Sequence, residues 1–383
     1  MDIRFSAEEQ KFREECREWL LANVPSERRP LNAADAIAFD KEWQHRLFDA
    51  GWAGINWPTA YGGRGLSLVQ QVIWLEEYAG AHAPWIGANF VGINHGGPTL
   101  ILNATEEHKA YHLPRILKGE AIWCQGFSEP GAGSDLAAIR THARIEGDEL
   151  IVNGTKIWTS FAHVADWQEL VVRTEAGSRR HQGLSWVICD MHAPGIEVRP
   201  IRKMSGQVEF AQVFYDDVRI PLANVVGGLG NGWKVAMSTL SFERGTGFIA
   251  EQVKLSQEIE ELVASARASG AIRDDRIAGE LAQMRAEVAA LRAMTYRNIS
   301  DVIRRGQPGP EASVIRLFSA ELGQRLERMA LLLAGDDILD FRYGDDTLVG
   351  EYLRGFAATI AGGTAQIQRD IIAERVLGLP KSR

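Results

Sequence analysis

The chain has 383 residues, enough for roughly two or three domains with large cores. Its 45% hydrophobic and 24% charged residues are ordinary for a globular protein, and a net charge of −8 argues against nucleic acid or an anionic membrane as a partner. No apolar run is long enough to span a bilayer, the N-terminus carries no signal-peptide pattern, and Cys16, Cys124 and Cys189 are too far apart for a zinc site, which suits reduced thiols in a cytoplasm.

Residues 1–120 read as a helical domain. Phe5, Phe12, Cys16, Trp19 and Leu20 share one helical face behind Ser6, a plausible N-cap followed by Glu8 and Glu9; Pro25 closes that helix. Residues 51–58 and 61–65, rich in Gly, read as loop. Helical pattern resumes over 68–78, and Thr105–Glu106–Glu107 opens another helix, expected to stop before Pro114. His108 and His112 stand at metal-ligand spacing. No glutamate follows His108 and no third ligand is evident, so an exposed or core-edge pair is expected. The run 87–97, with its Gly, Asn and His, suits either a cleft wall or a tightly packed helix.

Residues 121–228 change to a period of two. Short apolar runs at 150–152, 170–172, 184–188, 196–198 and 212–215 alternate with Gly, Asp and Pro turns, the pattern of a compact β domain. The Gly cluster at 227–232 does not match G-x-G-x-x-G, so a Rossmann fold is not supported. Residues 229–383 return to helix, with long amphipathic segments over 248–268, 280–304 and 311–333 and a last helix from about Thr364 to Gly378.

Three stretches carry chemistry. The first runs Gln125–Gly126–Phe127–Ser128–Glu129–Pro130–Gly131–Ala132–Gly133–Ser134–Asp135. The second is Val152–Asn153–Gly154–Thr155–Lys156–Ile157–Trp158–Thr159–Ser160. The third is Ala361–Gly362–Gly363–Thr364–Ala365–Gln366–Ile367–Gln368–Arg369. Taken alone, the first is a surface turn of common composition. In this order and spacing the three resemble the motifs of the acyl-CoA dehydrogenase family, over nearly the whole chain.

That resemblance implies an α+β fold: a helical N-terminal domain, a β-barrel or sandwich in the middle and a C-terminal four-helix bundle. It implies FAD as cofactor and an acyl-CoA thioester as substrate. The substrate loses a proton from Cα and a hydride from Cβ to flavin N5, and electrons leave to an electron-transfer flavoprotein. By the same resemblance Gln125, Phe127, Ser128, Gly133 and Ser134 meet one flavin edge and Trp158, Thr159 and Ser160 cover the ring, while Thr364 and Gln366 contact FAD. Ser134, Ser241, Arg244 and Gly362 are expected at the substrate.

Two departures matter. The catalytic glutamate that many members place before Gly-Thr is here Gly362. A minority of members carry the base on an earlier helix, which matches Glu243, with Arg244 beside it. The Arg-x-x-Phe-Gly run that serves a neighbouring subunit's FAD is absent at 272–279, and a later Gly-rich loop is degraded around 335–343. This resembles one subunit of the heteromeric α2β2 members that act on sterol side chains and other bulky acyl groups; a homotetramer with a divergent FAD contact is the alternative. A catalytically silent partner subunit, or an oxidase or desulfinase on the same scaffold, are the competing functions.

Overall fold

The computed structural model describes residues 5–30, 33–243, 247–305, 309–341 and 347–381; of 33, 243, 247, 248 and 340 it describes the backbone alone. The chain begins with α1 (Ala7–Asn23), α2 (Ala33–Asp49) and α3 (Leu68–Gly80). Ser6 Oγ accepts from Glu9 N while Glu9 reaches back to Ser6 N, a reciprocal cap that starts α1 where its apolar stripe begins. The stripe packs Phe12, Cys16 and Leu20 into a core rich in indoles, where Trp52 and Trp74 stack at 4.1 Å.

The run 87–97 is packed, not open. It forms a 3-10 turn at Gly87–Asn89, then a π-helical turn at Gly92–Gly96, and continues as α4 (Gly97–Asn103). Asp40, fully buried in α2, anchors this entry: its carboxylate takes Ala88 N at 3.0 Å and a bidentate pair from Arg29 at 2.6 and 2.8 Å.

Helix α5 (Glu106–Leu117) runs straight through Pro114, against the expected stop. Pro114 and Ala110, whose carbonyl loses its amide donor, both face solvent, so water can replace the missing bond. His112 lies at the edge of the core, its ring set edge-on to Trp123 (5.1 Å) and Trp167 (4.8 Å). Among the described residues no cluster of metal-ligating side chains occurs.

The middle region is one mixed sheet of β1 (Trp123–Gly126), β2 (His142–Glu146), β3 (Glu149–Ser160), β4 (Trp167–Arg173), β5 (Leu184–Asp190), β6 (Ile196–Ile201), β7 (Phe210–Pro221) and β8 (Val225–Val226). The order is β6-β7-β3-β2-β4-β5-β8, with β1 parallel against β4. Strands β4 and β5 are buried on both faces. Val171, Trp186 and Ile188 join the helical N-terminal core; Leu170, Val172, Val187 and Cys189 fill the β domain's own. Burial on both faces shows as consecutive buried residues, Gln168–Val172 in β4 and Leu184–Cys189 in β5, rather than as an alternation.

Helix α6 (Gly232–Glu243) packs back on α4 and the π turn, with Thr99 and Thr239 hydroxyls 2.8 Å apart. The C-terminal domain holds three long helices, α7 (Gly247–Ser269), α8 (Asp275–Arg305) and α9 (Ala312–Ala334), around a common apolar core. The fourth position of the bundle is divided into α10 (Leu348–Gly355), a 3-10 turn, and α11 (Ala365–Ile371), which passes into a π turn at Ile372–Val376. No described helix is long and apolar enough to cross a membrane.

Candidate active site

Strand β1 delivers the first stretch. It ends in a tight turn in which Glu129 and Ala132 exchange backbone hydrogen bonds at 3.0 Å in both directions around Pro130–Gly131. Proline sets φ for such a turn. Gly126 is a glycine for a different reason: a Cβ there would lie 2.6 Å from the Gln168 side chain.

The turn is fastened to β3 from beneath. Lys156 Nζ donates to Phe127 O at 2.9 Å and to Glu129 Oε1 at 2.9 Å, and Ile157 N donates to Ser128 O at 2.9 Å. Glu129 also takes Arg140 N at 2.6 Å and Thr141 N at 2.9 Å. Burial pushes the Glu129 carboxyl up, but Lys156 and these donors outweigh it and hold the group below the usual carboxylate range. Burial lowers Lys156 to about 8 against the pull of Glu129. At neutral pH the pair is ionic.

Beyond Lys156 the strand is irregular. Trp158 has φ +60° and Phe161 φ +57°, left-handed values that cost an aromatic residue strain. The register with β7 shifts between Lys156 and Thr159, and this bulge turns the Trp158 indole outward, 56% exposed and edge-on to Phe210. Thr159 is buried with no partner for its hydroxyl, and Ser160 is half-buried. Phe127 and Ser128 are thus tied directly to β3 through Lys156 and Ile157, Gln125 sits on β1 against β4, and Trp158, Thr159 and Ser160 follow Ile157 along β3. Gly133 and Ser134 are exposed; a Cβ added at Gly131 or Gly133 would meet nothing within 4 Å.

The third stretch is held within the C-terminal domain. Gly362 and Gly363 take φ +63° and +93°, a path suited to glycine. Arg316 of α9 donates to Ala358 O and Ala361 O at 2.8 and 3.0 Å, and Gln368 to Gly362 O at 3.1 Å. Thr364 spends its acceptor on Ile367 N at 3.2 Å as the cap of α11, and Gln366 is exposed. On α6, exposed Ser241 donates to Ser238 O at 2.7 Å. Glu243 closes that helix; its side chain, and Arg244 altogether, lie outside the described residues.

Sequence reading passed over Lys156 and Glu129 as a buried pair, and Arg316 and Gln368 as the clamp on the Gly-Gly turn. A signal for the first existed: a lysine inside an apolar strand needs a buried acceptor.

A helical domain, a two-faced sheet and a helical bundle surround a preset turn, with an outward indole and an orphaned hydroxyl beside it. The chain belongs to the acyl-CoA dehydrogenase family. Family models match its N-terminal domain over residues 6–120, its middle domain over 124–218 and its C-terminal domain over 230–377. Acyl-CoA dehydrogenase IpdE1 of Mycobacterium tuberculosis is 40% identical over 380 residues, covering 97% of this chain and 98% of the relative. Two solved structures are also similar. The Tcur3481–Tcur3483 steroid ACAD is 30% identical with TM-score 0.87, and covers 100% of both chains. The ChsE4–ChsE5 complex from Mycobacterium tuberculosis is 31% identical with TM-score 0.84, and also covers 100% of both chains.

The chain is accordingly an enzyme of the acyl-CoA dehydrogenase class, and the family's cofactor is FAD. The residues present fit that cofactor. Thr159 offers a buried hydroxyl with no protein partner, Trp158 an outward indole, and Gly131 and Gly133 open space.

Proposed function

We propose that this chain catalyses α,β-dehydrogenation of a bulky, steroid-derived acyl-CoA thioester, working in a tetramer with a second acyl-CoA dehydrogenase-like chain. The observation that supports the dehydrogenation is the Lys156 strut, which ties the first motif to the second beside the outward Trp158 indole and the buried, unpartnered Thr159 hydroxyl. The substrate class and the unlike partner draw support from similarity to the steroid ACAD and to the ChsE4–ChsE5 complex, and from the missing Arg-x-x-Phe-Gly run at 272–279.

Bound FAD supplies the hydride acceptor. Gln125, Phe127 and Ser128 bind one edge of it and Trp158, Thr159 and Ser160 cover the ring, with Thr364 and Gln366 as further contacts. Glu243 takes the α-proton, since position 362 offers no carboxylate. A glutamate beside an apolar acyl chain is raised toward neutrality, which suits a base. The Gly362 N–H meets the thioester oxygen, where negative charge develops. Ser134, Ser241 and Arg244 hold the CoA side, and an electron-transfer flavoprotein takes the electrons.

The test is anaerobic reduction with a steroid-derived acyl-CoA. Glu243→Gln should keep FAD and abolish flavin bleaching. Unchanged bleaching would remove Glu243 from the role; bleaching by short straight-chain thioesters alone would remove the bulky substrate.

A further inference from the structure

The helix that ends at Glu243 is held from α4 by a hydroxyl network that the chemistry above does not use. Thr239 lies one turn before Glu243 on α6. It is fully buried, and its Oγ1 lies 2.8 Å from the Oγ1 of equally buried Thr99 on α4 and 3.2 Å from Val235 O. A hydroxyl has one proton to give and a carbonyl has none. Thr239 therefore donates to Val235 O, and Thr99, which has no other acceptor among the described residues, donates to Thr239. A second chain runs beside the first. Asn103 Nδ2 donates to Thr99 O at 3.1 Å, which fixes the orientation of the amide, and to Ser238 Oγ at 3.1 Å. Ser238 Oγ gives its own proton to Val235 O at 2.7 Å. Two α4 side chains one turn apart thus reach two adjacent hydroxyls of α6, and both chains end on one carbonyl.

A hydroxyl that bonds back to a carbonyl one turn earlier competes with the helix's own bond there and bends the helix. A threonine can leave that rotamer for another at small cost. Here each hydroxyl oxygen receives a donor from α4 when its proton faces Val235 O, so that rotamer is favoured at both positions. The threonines are shut off from water, and no solvent bond stands in for a missing partner. We propose that Thr99 and Asn103 are positioning residues: they hold the hydroxyls of Thr239 and Ser238 on Val235 O, and so fix the path of the last turn of α6 and the point at which it presents Glu243 to the substrate's α-proton. This rests on the reading that Glu243 is the base.

The test uses the full-length enzyme with FAD, partnered where the partner is required, and a steroid-derived acyl-CoA deuterated at Cα or at Cβ. It reads the anaerobic rate of flavin reduction at saturating thioester, the two isotope effects, and the thermal midpoint. Thr99→Val/Thr239→Val removes both hydroxyls and keeps their shape, so the midpoint should change little. The rate should fall about tenfold, with a larger isotope effect at Cα and no comparable rise at Cβ. Thr99→Val alone and Asn103→Leu should act in the same direction, and Thr99→Ser, which restores the donor, should recover the rate. If Glu243→Gln abolishes reduction while the double variant keeps the parent rate and isotope effects, the clamp is refuted and Glu243 stays the base. If Glu243→Gln reduces flavin as the parent does, the base assignment falls and the clamp with it. A double variant that only lowers the midpoint would make the network a packing feature and overturn the proposal. So would slower reduction in which the Cα effect does not rise above the Cβ effect, since the fault would then lie outside proton removal.

Discussion

Lys156 shows how much one side chain can organise. It is fully buried and bonds to the Phe127 carbonyl and the Glu129 carboxylate of the turn after β1. Lys156→Met leaves Glu129 buried without its cation, and such broken pairs cost about 3–5 kcal/mol. Urea denaturation should show that loss, and Lys156→Met/Glu129→Gln should recover part of it. The pH dependence follows from the sign of the shift. Glu129 is held below its ordinary value near 4.5, so its stabilisation is complete above that value and disappears as pH falls through the lower folded one. His112 adds a second acid-sensitive group. Burial first, then His108 and Arg115, lower it to about 4 from 6.5. The unfolded chain therefore takes up a proton below pH 6.5 that the folded chain refuses, and stability falls between about 6.5 and 4, by roughly 2–3 kcal/mol. Denaturation at stepped pH should flatten over that window in His112→Phe.

At the scale of elements, local pattern and tertiary demand part company in places that can be named. Pro114 is a stop signal by local rule, yet α5 continues because the affected carbonyl is at the surface. Pro114→Ala should restore an amide donor there and raise stability by about 1 kcal/mol or more, seen as a higher thermal midpoint. Strand β2 went unread because only Ala143 of its residues is buried, so no apolar alternation marks it. Strands β4 and β5 were legible but short in outline, since their apolar runs stop where polar ends keep pairing. Gly126→Ala should be poorly tolerated: its Cβ would fall 2.6 Å from Gln168, whose side chain accepts from Tyr215 at 2.5 Å. The expected readout is loss of the apoprotein's cooperative unfolding or of FAD retention.

At the scale of the molecule, the proposed unlike partner makes a direct prediction. The notable absence is the Arg-x-x-Phe-Gly run at the start of α8, where Ile272–Arg273 and Asp275–Arg276 stand instead. Expressed alone, the chain is expected to retain well under one FAD per protomer, and co-expression with a related acyl-CoA dehydrogenase chain should restore flavin and give a mixed tetramer. Native mass with the visible spectrum decides it; a tetramer of this chain alone with full flavin would discard the unlike partner.

By itself the sequence determined the helix faces, the run of β pattern between two helical regions, and the three motifs, because each depends on residues a few positions apart. Caps, turns and amphipathic stripes are local physics. Only the tertiary structure decided which groups became partners. Lys156 reaches Glu129 across 27 positions and Gln125 reaches Glu169 across 44, and His95 joins them from another domain. Those contacts need the β1–β4 register and the packing of the π turn against the sheet. No local signal encodes them, because what selects a buried polar partner is the cost of leaving a donor or charge unmatched once water has been removed.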